Sequence, residues 1–141
     1  MPPKPAIALN TVKTPESEKI TINMGFVDLG HIDLLVAEGF YSNRTDFIRT
    51  AIRTHLASHA DVLRQAATRK MLVLGLQNFS VADLEAARDA GEKLQIRVLG
   101  LAVIDPNVSP ALASAAIDSL TVLGALHASP AVKAALAGRI R

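Results

Sequence analysis

The chain of 141 residues has no cysteine and no tryptophan. Without cysteine there is neither a disulfide framework nor a thiolate metal site, which suits a cytoplasmic protein. Aromatic residues make up only 4% of the chain, while hydrophobic residues make up 50%. The core must therefore be built from Leu, Ile, Val and Ala. Mean hydropathy is +0.28, too apolar for a disordered chain. No run of about 18 apolar residues is present, so no helix is expected to span a membrane. "MPPKPAIALN" lacks the long apolar stretch of a secretory signal.

Net charge is +2. Residues 1–70 hold nine Lys/Arg against seven Asp/Glu, and residues 71–141 hold six of each. The positive excess thus lies in the first half, a hint of a polyanionic partner there. Four prolines fall within residues 1–16 (Pro2, Pro3, Pro5, Pro15), which reads as an extended, flexible arm.

Residues 19–24, "KITINM", alternate strictly. Ile20, Ile22 and Met24 lie on one side; Lys19, Thr21 and Asn23 lie on the other. A helix follows from about Asp28 to Glu38, with Leu29, Ile32, Leu35 and Val36 at helical spacing and Gly39 as its terminator. A second helix starts after "FYSN". Ser42 or Asn43 is its N-cap, Asp46 stands in capping-box position, and Phe47, Ile48, Ala51, Ile52 and Leu56 form its apolar stripe. Nothing breaks the pattern through "ASHADVLRQAATRK", so that helix is expected to run on as a linker over 58–70.

A six-residue strand has no stability alone, and no neighbouring segment offers it a ladder. The simplest partner is the same strand of a second chain, giving a two-stranded antiparallel ribbon about a two-fold axis. Ile20, Ile22 and Met24 would then form the dimer core. Lys19, Thr21 and Asn23 would project together, on a ribbon of a width that enters the DNA major groove. Lys suits guanine acceptors, Asn suits adenine, and Thr offers a hydroxyl and a methyl for thymine.

"EKITINM…IDLLVAEGFYSNRTDFIRTAIRTHL" resembles the ribbon-helix-helix (MetJ/Arc/CopG) family of repressors over residues 17–57, most closely the DNA-binding half of its nickel-responsive members. The resemblance implies base contacts from Lys19, Thr21 and Asn23. It also implies phosphate contacts at the start of the second helix, from Ser42, Asn43 and Arg44. The free N–H groups and dipole of a helix N-terminus agree with an anion site there. Arg44 opposes that dipole, which suggests that it is kept for an external anion. Metal sensing does not carry over: His127 is the only histidine of the second half. His55 and His59 have metal-site spacing but no third ligand nearby. They read as solvated, and His31 as a surface residue.

The last seventy residues change character. Val-Leu-Gly occurs at 73–75, 98–100 and 122–124. Each copy reads as an apolar strand, a glycine, a loop and an Ala/Leu-rich helix, a period in the range of strand-helix repeats. Ser109-Pro110 and Ser129-Pro130 are helix starts, not nucleophiles. The expected class is α+β: a flexible arm (1–16), a ribbon-helix-helix domain (17–57), a helical linker (58–70) and a small strand-helix repeat domain (71–141). The repeats suggest a parallel sheet with one helix layer that joins dimers into larger assemblies; effector or partner binding are the other readings of this half.

The expected function is that of a sequence-specific transcriptional regulator, a repressor, on palindromic or repeated double-stranded operators. The alternative is an antitoxin or plasmid-segregation protein that autoregulates through the same domain. No enzyme activity, cofactor, metal or membrane partner is expected.

Overall fold

The computed structural model describes residues 17–141. The proline-rich arm expected over 1–16 lies outside them. Helices and strands are mixed, as an α+β chain requires, and the chain divides into two compact units between His55 and Leu56.

In the first unit a stretch outside helix and strand, 17–25, leads into α1 (Phe26–Ala37) and then α2 (Arg44–Ala57), which continues two residues past the division. Helix α1 starts two residues earlier than the apolar spacing predicts. Gly25 takes an extended conformation and its carbonyl accepts from the Leu29 N–H at 3.1 Å, so the first turn already holds Phe26 and Val27. The end is as expected. Gly39 has φ +88°, its N–H donates to the Val36 carbonyl, and the Phe40 N–H reaches back to Leu35, both at 3.0 Å. This doubled closure satisfies the orphan carbonyls of the last turn, and a left-handed residue there favours glycine.

Asn43 caps α2 by accepting from the Asp46 N–H at 2.8 Å. Asp46 in turn accepts from the N–H of Ser42, one residue before the cap, at 2.9 Å. The helix does not run on unbroken. It ends at Ala57, the His59 N–H closes onto the Leu56 carbonyl at 3.0 Å, and a separate helix α3 follows (Ala60–Arg69). Ser58 and His59 at the break are weak helix formers, and the exposed Ser58 hydroxyl lies 3.2 Å from Nδ1 of the His59 ring.

The second unit carries the chain's main core. Strands β1 (Val73–Phe79), β2 (Leu94–Ile104) and β3 (Ile117–His127) form a parallel sheet in sequential order. Helices α4 (Val81–Asp89), α5 (Pro110–Ala116) and α6 (Pro130–Ala135) follow the three strands in turn. The Val-Leu-Gly triplets stand side by side: Val73 pairs with Val98 and Val98 with Val122, and the glycines Gly75, Gly100 and Gly124 align in the same way.

Ser80, Ser109 and Ser129 cap the three helices, each hydroxyl accepting from the N–H three residues on at 3.1–3.2 Å. Pro110 and Pro130 occupy the first helical position, where a missing N–H costs nothing. The carboxylate of Asp83 completes a capping box with Ser80, and those bonds hold it below the usual carboxylate range. The core lies between sheet and helices: Ile96, Val98, Ala102 and Ile104 from β2 and Leu120 from β3 meet Leu84, Leu112, Ala113 and Val132. Past α6, the C-terminal residues close the far side of β3. Ile140 bridges Leu120, and Arg139 donates to the carbonyls of Ser114 and Ile117 at 2.7 Å each.

Candidate nucleic-acid interface

Residues 17–25 belong to no helix or strand and are exposed throughout, except for half-buried Met24. Their backbone has no ladder partner among the described residues. Lys19, Thr21 and Asn23 alternate with Ile20 and Ile22, and the two isoleucines are 73% and 65% exposed. The polar set can meet a ligand. The apolar set has no reason to face water, and nothing among the described residues covers it.

The rest of the first unit repeats the pattern. Among its described residues only Ile32 is buried. Phe26 is 92% exposed, and Val27, Leu34, Phe40 and Ile52 are exposed as well. A local cluster does form where Tyr41 meets Phe47 edge-to-face at 5.0 Å, which pins the turn before α2. One buried isoleucine and a few half-buried side chains, Leu29, Leu35, Val36 and Ile48 with the Tyr41–Phe47 pair, offer little burial against the entropy of ordering two helices.

At the start of α2 the structure brings Ser42, Asn43 and Arg44 together. The Ser42 N–H and the Asn43 side chain are engaged in the cap. Arg44 and Thr45 stand in the first turn of α2, where backbone N–H groups have no acceptor within the helix, the arrangement that attracts an anion. The Arg44 side chain is not idle. Its Nε and Nη2 grip both carboxylate oxygens of Asp33 on α1 at 2.8 Å, a bidentate pair. This hydrogen-bonded pairing lowers the pKa of Asp33 and raises that of Arg44. Arg44 therefore ties the two helices together, a role its spacing from Asp33 in the chain did not suggest.

Two further cations were not singled out by the sequence motifs. Arg49 and Arg53, one turn apart on α2, line an open hollow of about 440 Å³ with Ser17 and Ile52. Neither forms an ion pair among the described residues. Their i,i+4 spacing off the apolar stripe was the available signal. No group of three or more His, Asp or Glu side chains among the described residues is arranged to hold a metal ion, and His31, His55 and His59 are exposed. No helix among the described residues is long and apolar enough to cross a membrane.

The model of the ribbon-helix-helix transcriptional regulator family fits residues 15–133, a span that includes the alternating segment and the two helices after it. The chain belongs to that family, and with it to the DNA-binding regulators of transcription. The match runs past the two helices and through most of the sheet unit. Comparison with curated proteins and with solved structures finds no match.

Proposed function

We propose that the protein is a sequence-specific repressor that binds operator DNA as an intertwined dimer. The observation that carries this is the bare apolar surface of the first unit, above all Ile20 and Ile22. Burying a large aliphatic side chain contributes about 1.5–3 kcal/mol. Ile20 and Ile22 from two chains therefore supply roughly 6–12 kcal/mol, comparable with the ~4–15 kcal/mol entropic cost of association. Met24 and the exposed side chains of α1 and α2 add to that gain, and the paired ribbon satisfies the backbone of 19–24. Ordering of 17–57 and dimerisation are then one event, and 17–57 is the DNA-binding domain.

In that dimer Lys19, Thr21 and Asn23 of both chains form one polar face of six side chains. It enters the major groove and reads base edges, two-fold symmetric as a palindromic operator is. The N–H groups at the start of α2, with Ser42, Asn43 and Arg44, hold flanking phosphates. Arg44 keeps Nη1 outside its fork with Asp33, so it can bond a phosphate oxygen without leaving the helix pair. Residues 58–70 link this domain to the sheet unit over 71–141, which joins dimers into larger particles able to occupy adjacent half-sites with raised effective concentration.

The test is quantitative binding of Asn23→Ala and of Arg44→Ala to a selected operator and to random DNA. Asn23→Ala should weaken operator binding by about 1–3 kcal/mol and leave random DNA nearly untouched. Arg44→Ala should weaken both alike and flatten the salt dependence. Equal losses on both DNAs for Asn23→Ala would remove base reading from that residue.

A further inference from the structure

Sheets made only of parallel strands are ordinarily covered on both faces. Here the helices cover one. On the other, rows of side chains run across the strands: Leu74, Leu99 and Leu123 in one row, and Leu76, Leu101 and Ala125 in the next. Leu74 is 77% exposed, Leu76 and Leu123 are exposed, and Leu99, Leu101 and Val103 are half-exposed. The ends of the face are polar: Arg97 with Thr121 before the leucines, and Asn78 with His127 after them. An uncharged centre with a polar rim is the anatomy of a protein–protein contact.

We propose that this leucine face packs against the same face of a second copy of the chain, and that it is the contact by which ribbon dimers join in pairs. The proposal rests on the dimeric reading above. Self-pairing fits because the centre carries no charge to repel its copy, and leucine rows can interdigitate across a two-fold axis. Few polar groups converge there to orient a small ligand.

Size decides how the contact is used. Three strands at ~4.8 Å and five residues at ~3.3 Å span roughly 14 by 17 Å, so one pairing covers about 500 Å² in plan from both sides. That is well short of the ~1,200 Å² of a stable specific interface. A ribbon dimer carries two such faces, and two dimers meeting through both cover about 1,000 Å², at the lower limit. The contact therefore holds dimers and not free chains.

The experiment uses the absence of native cysteine. In full-length Leu99→Cys, a bis-maleimide reaching about 10 Å, the separation of packed sheets, should cross-link two chains in a particle of four. Modification by a monofunctional maleimide should be about tenfold slower than for Glu85→Cys on helix α4, as for a state mostly paired. Leu74→Cys, at an exposed position that tolerates change, should show the same protection should Leu99→Cys fail to fold. Fast modification without cross-linking overturns the proposal. So does slow modification without cross-linking, which assigns the face to another occupant. A cross-link within a particle of only two chains overturns the pairing of dimers. Binding of the same variant to a single operator reports on the ribbon separately, so loss of one reading does not mimic loss of the other.

Discussion

Replacing Gly100 by alanine should be among the most damaging single-methyl changes in the sheet. Gly75, Gly100 and Gly124 sit side by side in the three strands with φ of +113°, +139° and +124°. Side chains rarely adopt such a backbone, and a left-handed conformation costs an L-residue about 1–2 kcal/mol. At Gly100 a second cost follows. A Cβ there would press into the carbonyl of Gly75 on the neighbouring strand, and one at Gly124 into the carbonyl of Gly100, each well inside van der Waals contact. Backbone held in a ladder cannot step aside as a side-chain tip can. Overpacking of this kind costs ~1–3 kcal/mol, so Gly100→Ala and Gly124→Ala should each lose roughly 2–5 kcal/mol. Gly75 is on the edge strand, and a Cβ there meets nothing within 4 Å. Gly75→Ala should therefore cost only the backbone term, about 1–2 kcal/mol.

The assay is urea or thermal unfolding of the full chain followed by far-UV circular dichroism. One kcal/mol moves the midpoint by about 4–8 °C in a domain of this size, so the two inner variants should melt at least roughly 10 °C lower or fail to accumulate. A Gly100→Ala protein within 1 kcal/mol of the parent, or Gly75→Ala as damaging as Gly124→Ala, would refute the reasoning.

Further expectations follow from particular contacts. Ile22→Pro removes a ladder donor and should abolish the dimer and unfold the first unit; a well-ordered monomer in a sedimentation experiment would contradict it. Asp33→Asn should release Arg44 from its fork, strengthen binding to all DNA sequences and steepen the salt dependence, as filter binding across salt concentrations would measure. The Asp33–Arg44 pair also carries a pH signature. The folded-state pKa of Asp33 is depressed, so its stabilisation is full above the ordinary carboxylate pKa and is lost as pH falls through the depressed value. Asp33→Asn should flatten that acid-side loss. Ser80→Ala removes a cap and should cost about 1 kcal/mol in chemical denaturation.

What the sequence made legible is what depends on local rules. The Asn43 cap, the Gly39 terminator, the Ser-Pro helix starts and the positions of the Val-Leu-Gly strands all rest on residues a few places apart. What escaped needs distant partners. Asp33 and Arg44 are eleven residues apart on different helices, and nothing in either helical pattern joins them. Arg139 closes the end of α5 from more than twenty residues away. The left-handed backbone of the stacked glycines becomes readable only once three strands are in register. The apolar spacing does not reach the start of α1, because Phe26 and Val27 are apolar residues facing water, which breaks the helical stripe. Like Ile20 and Ile22 they are exposed in the single chain, and the proposed dimer offers all four a second chain to pack against. For Lys19, Thr21 and Asn23 the alternation that set them on one side of the segment is legible; their contact with bases is proposed from it.

In the proposed dimer, residues 19–24 become a strand only by pairing with their own copy. Amide hydrogen exchange of the full-length protein without DNA tests it most directly. In a single chain those amides face water and should exchange at the rate of an unfolded peptide. The account predicts that at micromolar concentration alternate amides among Lys19–Met24 are protected to the same degree as Ile32 in α1, and that Ile22→Pro removes both protections together. Fast exchange throughout 19–24 while α1 and α2 stay protected would contradict it.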